Sequence, residues 1–173
     1  NTVEIKNGTI VVAPGQYSGT ATFLMYGENN ITFNDVDITA TGLTGTYLIG
    51  QEGTSDLNLI NSEILIDNPS LVSLIAAIAC NGSGTTTIEN SNISVKNING
   101  RALLNVSCSL VNSTVTADYV KAGFYIPNGK TLSIDATSTV TITNLVDGKV
   151  NGIDLYGNAI YNVAEGATVN ATV

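Results

Sequence analysis

The sequence predicts an all-β protein built as a parallel β-helix, a solenoid with three strands in each coil and about seven coils stacked along one axis. Three observations predict this fold. An apolar pair that encloses an Asn or Asp recurs along the chain, short segments with a period of two fill the intervals, and no segment shows the capped 3.6-residue period of a helix. The whole chain, residues 1–173, is therefore expected to form a single domain.

The recurring unit is an apolar pair around a corner. Its two members lie five positions apart in five copies and six apart in the last two. The first members are Ile5, Phe33, Leu59, Ile88, Leu110, Ile134 and Val163. Successive first members are separated by 28, 26, 29, 22, 24 and 29 residues. This spacing predicts that each first member stacks on its equivalent in the next coil, at the strand separation of ~4.8 Å.

Each unit is predicted to hold three short strands. The first strands are VEIKN, ITFND, LNLIN, TTIEN, SLVN, TLSID and IYNVAE. The second strands are TIVV, VDITA, EILI, NISV, TVTA, TVTIT and TVNATV. The third strands are TFLMY, TYLIG, LIAAIAC, ALLNVSC, GFYIP and GIDLY. An antiparallel sandwich is the main structural alternative, but it does not predict corners that keep their register through successive repeats.

Asn or Asp occupies the same corner position in five copies. These residues are Asn7, Asp35, Asn61, Asn90 and Asn112. Asn tolerates the unusual dihedral angles of a tight corner, and its amide both donates and accepts hydrogen bonds. A ladder of these side chains along the axis is therefore predicted. The two later copies carry Ala136 and Glu165 and one additional residue, so their corner is expected to be built differently.

The two cysteines are predicted to be neighbours. Aligning LIAAIAC with ALLNVSC places Cys80 on Cys108 in adjacent coils. The favoured interpretation is a buried stack of free thiols that behave as small hydrophobic side chains. A disulfide is the alternative, although a bridge between adjacent strands strains its geometry.

The third strands are apolar on both faces, which predicts that both faces are covered. Their outward residues are expected to be Phe23 or Leu24, Tyr47, Ile75, Leu103, Tyr125 and Tyr156. The cover could be the loops at 13–20, 40–45 and 142–151, or a flanking domain or a second copy of the chain. Alternatively, the face is a ligand-binding platform for sugar rings. Its tyrosines would be Tyr26, Tyr47, Tyr125 and Tyr156.

Composition argues against several classes of partner. Charged residues make up 12% of the chain, the net charge is -8, and there is no His. A surface of this charge repels a phosphate backbone, so nucleic-acid binding is not expected. The longest apolar run, at 71–80, is too short to span a bilayer, so membrane insertion is not expected. No metal or cofactor is predicted.

The column of Asn7, Asp35, Asn61, Asn90 and Asn112 between apolar pairs, with three strands in each coil, resembles the right-handed pectate-lyase-like β-helix superfamily. The Thr- and Asn-rich segments TLSIDATSTVTITN and YNVAEGATVNATV are similar to β-helical adhesin-type modules of bacterial secreted surface proteins. The resemblance implies a right-handed coil and a non-catalytic, extracellular module that binds glycan or protein ligands at the cell surface. Because the chain starts and stops within strands, a module of a longer protein is expected.

The same resemblance implies an alternative function, a calcium-dependent polysaccharide lyase or a degenerate relative that still binds glycans. Lyases of this superfamily use calcium-binding acids with an Arg base, and its hydrolases use a His. Arg101 is the only Arg here, it has no acidic residue within ten positions on either side, and His is absent. The non-catalytic function is therefore favoured.

Overall fold

The computed structural model describes residues 1–16, 21–149 and 151–172. The strands are β1 (Thr2–Val12), β2 (Gly15–Gln16), β3 (Ala21–Met25), β4 (Asn30–Ala40), β5 (Leu43–Gln51), β6 (Leu57–Ile60), β7 (Glu63–Val72), β8 (Leu74–Cys80), β9 (Thr85–Glu89), β10 (Asn92–Ile98), β11 (Arg101–Leu104), β12 (Ser107–Val111), β13 (Thr114–Asp118), β14 (Ala122–Ile126), β15 (Thr131–Ile134), β16 (Thr139–Thr143), β17 (Ile153–Leu155), β18 (Ile160–Val163) and β19 (Thr168–Ala171). The described residues form no helix.

The strands wind into a parallel β-solenoid, which confirms the predicted fold class. Each strand pair is parallel. First and second strands share one 12-stranded sheet, because β1 and β4 run through the corner without a break. Third strands form a separate 7-stranded sheet, from β2 and β3 to β17, which we call the third sheet because it holds the third strand of each coil. The chain completes about six turns, and the right hand of the coil stays a prediction.

The predicted register is confirmed at each step. The first members of the apolar pairs form one column in which each residue pairs with the next, from Ile5 on Phe33 to Ile134 on Val163. The second members form a parallel column from Ile10 to Val169. Both columns line the interior, because successive strand residues point to opposite faces of a sheet. Val163, in the last coil, is 42% exposed.

The third strands complete the core, and here one outward assignment is wrong. Leu103 is fully buried and pairs with Ile78 and Phe124, which are also fully buried. Its neighbour Ala102 lies in the same core, so two successive residues of this strand point inward. Phe23 also packs inward, with its ring edge-to-face against Phe33 at 5.6 Å between centroids. A strict period of two does not predict this local change of direction.

The Asn corner has the predicted backbone but mostly not the predicted ladder. The five residues have φ values of 53°, 59°, 48°, 48° and 47° in chain order, all in the left-handed region that Asn and Asp tolerate best. Asn112 donates from Nδ2 to Asn90 Oδ1 at 2.8 Å. That contact is the single hydrogen bond between side chains of this column that the described residues show.

Serines one position after the corner residue, and two positions after it in the longer corner at Ala136, form the continuous ladder instead. The backbone amides of Val36, Ser62, Ser91 and Ser113 donate to the hydroxyls of Ser62, Ser91, Ser113 and Ser138, respectively, at 3.0 to 3.1 Å. These serines are buried, with 1% to 6% of their surface exposed. Each hydroxyl therefore accepts a hydrogen bond from a backbone amide of the previous coil. That amide lies at the corner, where it has no hydrogen-bond partner in a neighbouring strand.

A second corner, between second and third strands, also has left-handed residues. Gly42, Asn97, Tyr119 and Asn144 have φ values of 64°, 59°, 53° and 51°. The register of β10, β13 and β16 places the last three at one level of successive coils. Tyr119 is the exception in this column. Asn can offset the cost of a positive φ with a local side-chain hydrogen bond, whereas Tyr cannot.

Tyr119→Asn is expected to raise the free energy of unfolding by about 1 kcal/mol, because Asn tolerates the left-handed conformation better than Tyr. The Tyr119 side chain is 49% exposed, so the substitution removes little buried apolar surface. Urea unfolding followed by circular dichroism measures the change. A destabilised variant would show that the tyrosine ring contributes more by packing than its backbone costs.

The cysteine register was predicted wrongly. Cys80 pairs with Gln51 in the third sheet, whereas Cys108 pairs with Thr86 and Leu132 in the 12-stranded sheet. The segment ALLNVSC is not one strand, because β11 ends at Leu104 and Asn105 turns the chain with a φ of 59°. Both thiols are free and buried. Burial raises the pKa of the Cys108 thiol far above its usual range, so it remains protonated at neutral pH.

The described parts of the loops suggested as a cover for the third sheet stack on neighbouring coils. An added side-chain atom on Gly42 would contact Pro14, so these two corners stack on each other. Val146 donates from its amide to the carbonyl of Val120 at 2.9 Å, in the next corner of the same column. These connections therefore extend the solenoid along its axis. Residues 17–20 and 150 of the proposed cover lie outside the described part of the chain.

Candidate functional site

The outer face of the third sheet carries a small apolar surface that is separate from the core. Its members are Tyr47, Ala76, Ala79, Leu104 and Tyr125, and we call it the tyrosine face. The two alanines are fully buried and Leu104 is 8% exposed, while both tyrosines are partly buried against them. The prediction that this sheet is apolar outside as well as inside therefore holds at these residues.

Register explains how these side chains meet. Tyr47 pairs with Ala76 on the neighbouring strand, and Leu104 lies between Ala79 and Tyr125 in an adjacent column. The two tyrosines are three coils apart, which corresponds to about 14 Å along the axis. The intervening strands β8 and β11 contribute the two alanines and Leu104. The tyrosine face therefore carries an aromatic ring at each end.

Arg101 adds a positive charge to the tyrosine face. It pairs with Ala76, and its guanidinium carbon lies 4.9 Å from the centre of the Tyr125 ring. Stacking of this kind is a favourable cation–π contact. Its Nε is buried without a hydrogen-bond partner. The salt bridges found among the described residues join Lys6 to Glu4 and Lys121 to Asp147, so none of them neutralises Arg101.

The four predicted tyrosines do not form one continuous platform. Tyr47 and Tyr125 belong to the tyrosine face, whereas Tyr26 and Tyr156 lie just beyond the ends of β3 and β17. These last two are 68% and 67% exposed and precede corner glycines. Leu24, in the column of Leu104, remains 45% exposed and extends the apolar surface toward the first coil.

A second surface, on the outer side of the first strands, was missed at the level of sequence. A groove of about 290 Å³ is lined by the hydroxyl side chains of Thr85, Thr87, Ser107, Ser109, Thr131 and Ser133. A wider depression of about 520 Å³ shares Ser109 and Ser133 with it and continues to Asp135, Tyr161 and Asn162. We call the combined surface the hydroxyl groove.

A sequence signal for the hydroxyl groove does exist. The residue directly before the first apolar member of each pair is polar and uncharged in six of seven copies. These residues are Thr32, Asn58, Thr87, Ser109, Ser133 and Asn162. Because strand residues alternate between faces, the position before a core residue must face solvent. Strand alternation predicts this outward column, whereas the repeated corners do not indicate it.

Asp135, which lines the hydroxyl groove, is an ionisable group with a shifted pKa. Within the described residues, no cluster of three or more His, Cys, Asp and Glu is arranged to hold a metal ion. The pKa of Asp135 is lowered, chiefly because Ser138 and Thr137 donate hydrogen bonds to its carboxylate together with the backbone of Asn112. These contacts close the serine ladder at its C-terminal end, so they are structural. No helix of the described chain could cross a membrane.

Comparison with known proteins adds no assignment: no protein-family model, no curated protein and no solved structure matches the chain.

Proposed function

We propose that this chain is a non-catalytic, extracellular, adhesin-like β-helix module that binds glycan ligands at the cell surface through the tyrosine face. The observation that carries the proposal is an outward apolar cluster with partly buried Tyr47 and Tyr125 rings, distinct from the core. Sugar rings present apolar C–H faces that stack on aromatic side chains, while their hydroxyls bind nearby polar groups. The sequence resemblance to right-handed pectate-lyase-like and adhesin-type modules supports the same function.

Arg101 and Asn81 supply the polar groups that such a site needs. The Arg101 guanidinium is held over Tyr125 and carries donors for a sugar hydroxyl or ring oxygen. Asn81 lies with its Nδ2 3.5 Å from the Tyr47 hydroxyl, at the other end of the face. A rigid solenoid holds both ends at a fixed separation, so little conformational entropy is lost when an extended ligand binds.

A second candidate function for this surface is association with a flanking domain or with a second copy of the chain. The 45% exposure of Leu24 at the margin of the tyrosine face favours it. Apolar residues exposed beside a covered cluster are typical of surfaces that protein partners bury. Light scattering across a concentration series tests it: a mass that stays monomeric, unchanged by Leu24→Ser, contradicts self-association.

A glycan array followed by titration calorimetry tests the glycan-binding proposal. Tyr125→Ala is expected to weaken binding of the selected glycan by about tenfold or more, because one of the two aromatic rings of the tyrosine face is removed. Tyr119→Asn is the matched control, since it replaces a half-exposed tyrosine at a corner outside the face. Equal affinity of the wild type and Tyr125→Ala for the glycan would contradict the proposal.

The lyase alternative needs its own measurement. Polygalacturonate is incubated with the protein and calcium, and formation of unsaturated product is followed by ultraviolet absorbance. We expect no product. Product formation that disappears in Arg101→Ala would replace the binding proposal with a catalytic one, since an Arg that acts as base must reach the proton that it abstracts.

A further inference from the structure

We propose that the hydroxyl groove is a second, independent binding site, which takes one chain of a neutral linear polysaccharide laid parallel to the solenoid axis. This site lies on the 12-stranded sheet, whereas the tyrosine face belongs to the third sheet. Its existence therefore does not depend on ligand binding at the tyrosine face.

The floor of the groove is a column of uncharged polar side chains at regular spacing. Thr87 pairs with Ser109, Ser109 with Ser133, and Ser133 with Asn162. Thr85 and Ser107 form a second column beside it, which Thr131 continues through an amide that donates to Ser107 Oγ at 3.3 Å. Each step along the axis is one strand separation, ~4.8 Å. Hydrogen-bonding groups are thus presented in two straight rows.

The chemistry of these rows selects the ligand. Hydroxyl and amide side chains both donate and accept hydrogen bonds, so the matching ligand must do both at intervals of one coil. A sugar residue in an extended chain has about this length and carries several hydroxyls. An extended peptide advances ~3.3 Å per residue, which differs from the strand separation. Its hydrogen-bonding groups would therefore no longer lie opposite the side chains of the rows after a few residues. A neutral polysaccharide fits better than a peptide for this reason.

Charge excludes an acidic chain as the favoured ligand. Asp135 is the charged residue among those that line the groove itself, and it is an acid, whereas the ammonium of the adjacent Lys130 is bound to the Gly82 carbonyl. The chain as a whole carries a net charge of -8. Carboxylated or sulfated polymers would be repelled by both, whereas a neutral polymer would not.

The corner that precedes Ser107 is shorter than those of the neighbouring coils. Only Asn105 and Val106 connect β11 to β12, whereas four residues connect the third and first strands in the coils on either side, at 81–84 and 127–130. Lys130 spans the short connection, with its ammonium donating to the Gly82 carbonyl two coils away. This contact joins the two longer corners beside the groove.

Titration calorimetry of the whole chain with cellohexaose, xylohexaose and mannohexaose tests the proposal, with a hexamer of galacturonate as the charged comparison. At least one neutral hexasaccharide is expected to bind saturably and more tightly than the acidic one. The double variant Thr87→Val, Ser109→Ala removes two adjacent hydroxyls of one row, and we expect it to weaken this binding about tenfold. Thr116→Val, on the outer face of β13, is the matched control and should bind as the wild type does.

Tyr125→Ala separates the two sites. Neutral hexasaccharide binding that persists in Tyr125→Ala and falls in the double variant supports the hydroxyl groove. Binding lost in Tyr125→Ala but unchanged in the double variant would overturn it and leave the tyrosine face as the glycan site. Absence of saturable binding by all three neutral probes, or tighter binding of the acidic hexamer, would also overturn it. Circular dichroism confirms that each variant is folded.

Discussion

Gly84→Ala is expected to lower the free energy of unfolding by about 3 kcal/mol or more, because the added methyl group has no room. A side-chain carbon on Gly84 would overlap the backbone carbonyl of Ser55 in the preceding coil. That carbonyl also accepts a hydrogen bond from the buried Gln51 side chain at 3.0 Å. Backbone movement that relieves the overlap would therefore also disturb a buried polar group, which is costly inside a protein.

Gly8→Ala is the matched control for this prediction. Neither glycine has a positive φ, so alanine is conformationally acceptable at both positions. At Gly8 the nearest atom to an added carbon is the Lys6 carbonyl oxygen at 3.9 Å, which is an ordinary contact. Chemical denaturation of both variants measures the difference. Equal stabilities would show that adjacent coils can separate locally without loss of the stack.

The close stacking of coils that makes Gly84→Ala destabilising is also the reason that the fold could be predicted from the sequence. A parallel solenoid repeats one set of contacts in each coil, so Ile5, Phe33 and their equivalents must recur at coil spacing. That recurrence is visible in the sequence, and the predicted register of these columns is correct. Strand identity within a coil is equally visible where apolar and polar residues alternate.

The incorrect predictions concern residues at or near turns of the chain. ALLNVSC has the composition of a single strand, yet the turn at Asn105 places Leu104 and Cys108 in different sheets. The incorrect placement of Leu103 has a related cause, because two successive residues of its strand point inward. Local dihedral angles decide these events, and the hydrophobic pattern does not encode them.

The candidate surfaces were predicted to different degrees. The apolar outer side of the third strands predicted the tyrosine face, including Tyr47 and Tyr125. The role of Arg101 depends on which side chain lies one coil away, which becomes apparent only once the register of β11 is known. The hydroxyl groove likewise depends on side chains of adjacent coils, which become neighbours only once the register of β9, β12 and β15 is known.

Ser113→Ala is expected to lower the free energy of unfolding by about 2 kcal/mol, because it breaks the serine ladder at its centre. The Ser113 hydroxyl accepts from the Ser91 amide at 3.0 Å and donates to the Val111 carbonyl at 2.7 Å. Alanine fits the same space but leaves a buried N–H without a partner, and an unsatisfied buried donor costs about 1–3 kcal/mol. The mutation should therefore cost more than the loss of one ordinary surface hydroxyl.

Ser94→Ala provides the comparison, since Ser94 lies on the outer face of β10 and substitutions at such positions usually change stability by less than about 0.5 kcal/mol. Urea unfolding gives the global free energy, and amide hydrogen exchange at Ser91 reports the broken contact directly. Protection of the Ser91 amide should fall in Ser113→Ala and remain in Ser94→Ala. Unchanged protection in both variants would mean that the amide keeps another partner. In that case the Asn corner, with its left-handed backbone, would hold the coils in register without the serine hydroxyls.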